Sequence, residues 1–290
     1  MAILVDDKSR VVVQGITGHQ GSFHTGLMLE YGTRVVAGVS PGKGGQEVHG
    51  VPVYETVQEA VDKHGANVSV LFVPAPFVKD AAFEAIDAGC SLVVVIAEHV
   101  PLHDAAAIVA FARQRGTIVL GPNTYGICSP GKSKIGIPPN SIFRPGTVGV
   151  VARSGTLSYE IVQAISQAGL GESTVVGMGG DRVVGLTFID LLKRFEADEA
   201  TRAVALVGEI GGTAEEEAAE FIKTMSKPVV AYIAGRSAPP GKRMGHAGAI
   251  IERGRGTYES KVAALTAAGV QVADFPWQVA ELLQARLASA

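Results

Sequence analysis

The chain has 290 residues, 47% of them hydrophobic, enough for two domains of ordinary size each to bury an apolar core. Its 25 basic and 28 acidic residues leave a formal charge of −3 with no basic stripe, which argues against a nucleic-acid partner. Two cysteines, Cys90 and Cys128, are too few for a disulfide framework and fit a reducing compartment. The opening Met1-Ala-Ile-Leu-Val-Asp-Asp-Lys has no basic n-region and no long apolar run, so no signal peptide is expected. The apolar run at 91–97 is strand length, too short for a membrane span. A cytoplasmic protein is the expectation, although a removed presequence would leave no trace.

Short β-branched runs at 10–14, 34–39, 68–73, 92–96 and 117–120 read as buried strands. Between several of them, 57–64, 79–88 and 104–115 carry apolar spacing suited to helices packed on a sheet. This predicts a doubly wound α/β domain of five or so strands. Residues 122–146 hold five prolines and several glycines and break the rhythm, placing the connection between domains there. A second cycle follows, with strands at 148–152, 174–177, 203–207, 229–233 and 271–272. Its helices fit 157–168, 187–195, 214–224, 258–268 and 277–287. The division expected is 1–125 and 126–290.

The first βα turn reads Gln14-Gly15-Ile16-Thr17-Gly18-His19-Gln20-Gly21. Glycines allow close backbone approach, and a helix N-terminus offers free N–H groups to a phosphate. The spacing differs from the G-x-G-x-x-G of dinucleotide folds, and no acidic residue closes the second strand to hold ribose hydroxyls. Ser40-Pro41-Gly42-Lys43-Gly44-Gly45 stands there instead. A lysine on a glycine loop suits an extra phosphate, such as the 3′-phosphate of coenzyme A, and favours that ligand over NAD. The plain alternative is a tight turn without a ligand.

Gly126-Ile-Cys-Ser-Pro-Gly131-Lys132-Ser133 matches the letters of a P-loop, but Gly136, Pro138 and Pro139 forbid the helix that motif requires. Further on, Ala152-Arg153-Ser154-Gly155-Thr156 joins a strand to a helix whose amides would face an anion; simple capping by Ser154 serves equally well. The first glycine of a G-x-S-x-G elbow is missing, so a serine hydrolase is disfavoured.

Among seven histidines, His246 has the most suggestive setting, Gly241-Lys242-Arg243-Met244-Gly245-His246-Ala247-Gly248. Flanking glycines leave its imidazole uncluttered, with Lys242 and Arg243 near enough to neutralise a phosphate. An imidazole accepts a phosphoryl group on one nitrogen while the other is held. Glu209, in Gly208-Glu-Ile-Gly-Gly212 at a strand end, is the candidate for holding it.

These motifs, with Phe72-Val-Pro-Ala-Pro76, occur in the order found in the α subunits of succinate–CoA ligases, and the chain resembles that family over nearly its whole length. The resemblance implies a Rossmann-like CoA-binding domain followed by a flavodoxin-like domain. It implies a nucleotide-dependent acid–CoA ligase working through phosphorylated His246 and an acyl phosphate. It assigns CoA to Thr17, Gly18, His19, Gln20, Lys43 and the backbone at Ile96, Ala97 and Glu98. It sets Tyr159 at the acid, Glu209 beside His246, and the helix at Ser154, Gly155 and Thr156 against phosphate. It assigns ATP or GTP with Mg2+ to a partner β subunit of ATP-grasp fold, in an αβ or (αβ)2 assembly, and no metal to this chain. Two departures stand out. Gly121-Pro122-Asn123-Thr124-Tyr125-Gly126 replaces the family's Gly-Pro-Asn-Cys-Pro-Gly, and Ile96-Ala97-Glu98-His99 replaces Ile-Thr-Glu-Gly. The first opens malate, citrate-like or sulfonated acids as alternatives to succinate. A non-catalytic CoA sensor and a nicotinamide oxidoreductase are the rivals from other classes.

Overall fold

The computed structural model describes residues 2–153, 155–238, 246, 249–251 and 256–289. In the first half the chain runs β1 (Val11–Gln14), α1 (His19–Glu30), β2 (Val35–Val39), β3 (Glu47–Val48), β4 (Val51–Tyr54), α2 (Val57–His64) and β5 (Val68–Leu71). It continues through α3 (Val78–Asp87), β6 (Leu92–Val95), α4 (Leu102–Arg115) and β7 (Ile118–Leu120). These strands form one sheet in the order β3-β4-β2-β1-β5-β6-β7. All pairs are parallel except β3 with β4. Strands β1, β5 and β6 are buried at every residue, which is why they read as mostly Val/Leu runs rather than alternating ones, with Gln14 and Ser69 the buried polar exceptions. The strand order reverses between β1 and β5, and ligands of such sheets enter at that crevice, beyond the carboxyl ends of the strands. The Gly15–Gly21 turn, the Lys43 loop and residues 96–98 all follow such ends.

The second half contains β8 (Gly126–Ser129), β9 (Ser133–Gly136), β10 (Pro145–Ala152), α5 (Gly155–Gln167), β11 (Glu172–Gly177), α6 (Phe188–Ala197) and β12 (Ala203–Glu209). It ends with α7 (Ala214–Ile222), β13 (Val229–Ala234), α8 (Tyr258–Ala267), β14 (Gln271–Ala273) and α9 (Gln278–Ala288). The sheet order is β14-β13-β12-β10-β11-β8-β9. From β14 to β11 the pairs are parallel, a flavodoxin-like core with its reversal between β10 and β12.

Two expectations are corrected. The first sheet has seven strands rather than five or so, because Val51–Tyr54 and its short partner β3 lacked a long enough apolar run to register. The segment 122–146 is more than a connection: β8 and β9 form an antiparallel hairpin that extends the second sheet through β11. Ser133, the last letter of the apparent P-loop, opens a strand and not a helix.

The hairpin also fastens the two sheets together. Thr33, just past α1, donates through Oγ1 to Lys134 O at 2.7 Å and accepts Lys134 N–H at 3.0 Å. Ser129 donates to Val5 O at 2.8 Å. The Lys134 side chain is fully buried, its Nζ 6.0 Å from the Tyr31 ring centroid and donating to Pro138 O at 3.0 Å. Burial disfavours the ammonium and brings its pKa down to about 8 from 10.5. Between those two values the unfolded chain binds more protons than the folded one, so this residue makes stability rise with pH. The gap corresponds to about 3 kcal/mol. Wild-type protein is therefore expected to gain most of that amount relative to K134M as pH rises from 8 to 10.5, measured by denaturant unfolding of both proteins.

Candidate active site

The C-terminal edge of the second sheet gathers charged residues that water would ordinarily hold. Glu209 ends β12 and is 6% exposed; Arg153 follows β10 and is also 6% exposed. His246 Nδ1 lies 2.9 and 3.0 Å from the two carboxylate oxygens of Glu209. Arg153 Nε is 3.6 Å from Glu209 Oε1, and its Nη1 is 3.5 Å from Glu215 Oε1 and donates to Gly211 O at 3.3 Å. Glu215 Oε1 accepts the Glu209 N–H at 3.1 Å, and the other carboxylate oxygen pairs with Lys261. Lys261 Nζ also reaches Glu216 Oε2 and Gly212 O, each at 3.1 Å. Glu215 and Lys261 are fully buried, so each charge depends on the others for its stability.

The imidazole packs against the loop after β11. A Cβ built on Gly180 would come within 2.6 Å of His246 Cγ, so only glycine leaves room for the ring. Gly180 N–H donates to Asn123 O at 3.0 Å, and Asn123 N–H donates to Ala97 O at 2.9 Å. Asn123 Nδ2 donates to Asp181 Oδ1 at 3.2 Å, while burial pushes the Asp181 carboxyl up. Asn123 thus ties the backbone at Ala97, in the first half, to the glycine under His246.

The N-terminus of α1 is open to an anion. Gly18 stands at its cap, no side chain accepts from its first turn, and that turn carries no acidic residue. Gly18, His19 and Gln20 are exposed, and Thr17 is half-buried. A Cβ on Gly21 would lie 2.1 Å from Gly15 O, which accounts for the glycine spacing of the turn. Thr17 Oγ1 donates to Ser40 Oγ at 3.0 Å, joining this turn to the loop that carries exposed Lys43. Ile96 and Ala97 are half-buried and Glu98 is exposed beyond β6. These residues suit coenzyme A: amides and a helix terminus for the pyrophosphate, and a lysine for a further phosphate.

Gly155 and Thr156 begin α5, whose first turn also lacks acidic residues. Ser154, Lys242 and Arg243 lie outside the described residues. Tyr159, on α5, meets Tyr125 edge to face with ring centroids 5.5 Å apart, and burial pushes both phenols up. Thr124 does not present its hydroxyl to a ligand: Oγ1 donates to Gly177 O at 2.5 Å and accepts from Gly126 N–H at 2.9 Å. Tyr125 is 4% exposed and packs over Gly177. The departure at 124–125 is thus largely consumed by internal packing.

The sequence pattern brought out His246 and Glu209 but not Arg153, Asn123, Gly180, Glu215 or Lys261. Arg153 and Asn123 stand inside motifs already noted, where position next to a loop glycine was the available signal. Glu215 looks like one of three acids in an exposed first helical turn, and nothing local marks Lys261 as buried. Among the described residues, no three His, Cys, Asp or Glu side chains converge as a metal ion would need, and no helix is long and apolar enough to cross a membrane.

The Glu209 hydrogen bond raises the His246 pKa, opposed by burial and by Arg153. A raised histidine value means that the pair stabilises the fold below the unfolded pKa and loses that contribution as pH rises through the folded value. E209Q is expected to lower the imidazole pKa, followed by NMR titration of the His246 ring protons. An unchanged midpoint would separate the carboxylate from the imidazole.

Comparison with known proteins agrees with this geometry. The family model described as a CoA binding domain matches residues 6–99, and that described as CoA-ligase matches residues 151–271. Succinate–CoA ligase [ADP-forming] subunit alpha 2 of Archaeoglobus fulgidus is 60% identical, covering 98% of this chain and 99% of that protein. The α subunit of the same name from Staphylococcus epidermidis is 53% identical, covering 98% of this chain and 94% of its own. The structure of ATP citrate lyase from Methanothrix soehngenii, in complex with citrate and coenzyme A, superposes with a TM-score of 0.86 at 28% identity. That match covers 98% of this chain and 51% of the longer lyase chain. With a CoA-binding domain, a CoA-ligase domain and full-length relatives above half identity, the chain belongs to the family of ADP-forming succinate–CoA ligase α subunits.

Proposed function

We propose that His246 carries the phosphoryl group between a nucleotide on a partner β subunit and the acid bound to this chain. The observation that carries this reading is the bidentate approach of His246 Nδ1 to the buried Glu209 carboxylate. With Nδ1 oriented by Glu209, attack falls to Nε2, the other ring nitrogen. Nε2 takes the terminal phosphoryl of the nucleotide as the diphosphate leaves. The carboxylate of the acid then attacks that phosphorus, releasing the imidazole and forming an acyl phosphate. The CoA sulfur attacks the acyl carbon, and inorganic phosphate departs as the thioester forms. Gly155 and Thr156, at the start of α5, would face the phosphate during these exchanges. Tyr159 would border the acid, and Thr17, Gly18, His19, Gln20, Lys43 and the backbone at 96–98 would hold CoA.

The names of the relatives favour succinate as the acid and ATP as the donor, and the Thr124 hydroxyl is used internally while the Tyr125 side chain is buried. The β subunit we propose has an ATP-grasp fold and binds the nucleotide with Mg2+. The division we propose, 1–125 and 126–290, falls between the last strand of the first sheet and the hairpin of the second. A cytoplasmic setting accords with the two buried free thiols.

Co-expressed with its β subunit, the wild-type protein is expected to acquire acid-labile phosphate on His246 and to prefer succinate over malate and sulfoacetate. H246A is expected to lose label and turnover while retaining CoA binding by calorimetry; turnover equal to wild type would end the proposal. G180A, by displacing the ring on the order of 1 Å, is expected to slow phosphorylation of His246 about 100-fold, measured by quenched-flow labelling.

A further inference from the structure

The Lys43 loop contains three glycines in four residues, Gly42-Lys43-Gly44-Gly45, and glycine has more backbone freedom to lose on ordering than any other residue. A lysine mounted on it would meet a phosphate only after that freedom was removed. One side chain removes much of it. Glu55, just beyond β4, accepts the Gly42 N–H on Oε2 at 2.6 Å and the Gly44 N–H on Oε1 at 2.8 Å. The two bonds fall on either side of Lys43, so the Pro41–Gly42 and Lys43–Gly44 peptide units are fastened to a single carboxylate. The backbone completes the frame: Lys43 N–H donates to Ser40 O at 3.0 Å and Gly45 N–H to Val53 O at 2.9 Å. A Cβ on Gly44 would fall 2.7 Å from Glu55 Oε1, so the glycine is what lets the carboxylate come this close.

The same contacts hold the Glu55 carboxyl below its ordinary range, so it is an anion at neutral pH. An anion beside a phosphate site is unexpected on electrostatic grounds alone, since like charges repel. Its position is explained if its work is to order the loop while its charge is answered by two amide dipoles.

We propose that Glu55 is a positioning residue that pre-orders the Gly42–Gly44 loop so that Lys43 meets the 3′-phosphate of coenzyme A, and thereby sets discrimination against coenzyme A lacking that phosphate. This rests on the reading of Lys43 as the partner of the 3′-phosphate. Pre-ordering of a binding loop raises affinity by lowering the entropy lost when ligand arrives.

The test uses the assembled ligase with CoA and dephospho-CoA as alternative substrates, in wild type, E55A, E55Q and K43A. Glu55 is exposed, and removal of its side chain opens no core cavity. E55A is expected to reduce the ratio of kcat/KM for CoA over dephospho-CoA at least fivefold, through KM for CoA, with E55Q intermediate because its amide oxygen replaces one acceptor. K43A is expected to reduce the same ratio further. If K43A collapses the ratio and E55A leaves it unchanged, Glu55 has no positioning role and the Lys43 reading stands. If neither variant moves it, the Lys43 reading fails and takes the proposal with it. A higher ratio in both E55A and E55Q would mean simple through-space repulsion of the phosphate, and an equal loss with both substrates would mean general damage; either overturns the proposal.

Discussion

Everything at the second sheet edge depends on holding the Glu209 carboxylate in one orientation where little water reaches it. A buried carboxylate needs partners within the protein. Arg153 Nε lies 3.6 Å from Glu209 Oε1, and the Glu209 backbone N–H donates to Glu215, which fixes the strand end that carries the carboxylate. Glu215 in turn requires Lys261, which is fully buried with it. Counting Glu209, Glu215 and Glu216 against Arg153 and Lys261, the cluster has one more negative charge than positive before His246 is considered. The Glu209 hydrogen bond is what favours a proton on the His246 imidazole, against burial and the Arg153 charge. Such a network is a poor device for stability, since well-packed apolar side chains of similar size often do as well. Its value here is that it aims one ring.

The second constraint is distance. The CoA-binding domain carries the first sheet and the His246–Glu209 pair sits on the second, and the two sheets have separate reversal points in their strand order. Asn123 is the joint. Its backbone bonds to Ala97 on one side and to Gly180 on the other, and its amide steadies Asp181. The hairpin of β8 and β9, held to the first half by Thr33 and Val5, makes that joint rigid from below. Packing across the hairpin includes a lysine whose charge is disfavoured by burial, which accords with a connection built for fixed geometry more than for maximal stability.

How much of this was legible beforehand can be argued residue by residue. The buried strands declared themselves because a parallel sheet covered on both faces demands apolar residues at every position, as in Val11–Val13 and Leu92–Val95. Strand β4 did not, because alternating Val51-Pro-Val53-Tyr is short and half-exposed. The hairpin at 126–136 was hidden by Pro130 and by glycines that usually mean loop, and those glycines here permit close approach of the two strands at Gly126 and Gly136. His246 and Glu209 were visible because each stands beside glycines in the sequence, Glu209 also at the end of a strand. Glu215 and Lys261 were not, since a charge on a helix is normally solvated and only the packing of α7 against α8 puts these two out of water.

The linear order of residues was sufficient to determine two α/β units, the glycine turn with its exposed amides, and a histidine set among glycines, because each of these is a local consequence of side-chain size, polarity and backbone freedom. It also carried the family, through motifs whose spacing is itself local. Tertiary structure alone decided that Glu209 faces Nδ1, that Gly180 lies under the ring, that Asn123 couples the two halves, and that Glu55 clasps the loop bearing Lys43. Those are contacts between groups from 11 to 66 positions apart, reaching from Glu55 and Gly44 to Gly180 and His246. No local rule relates them; they exist because two sheets fold so that their strand ends converge.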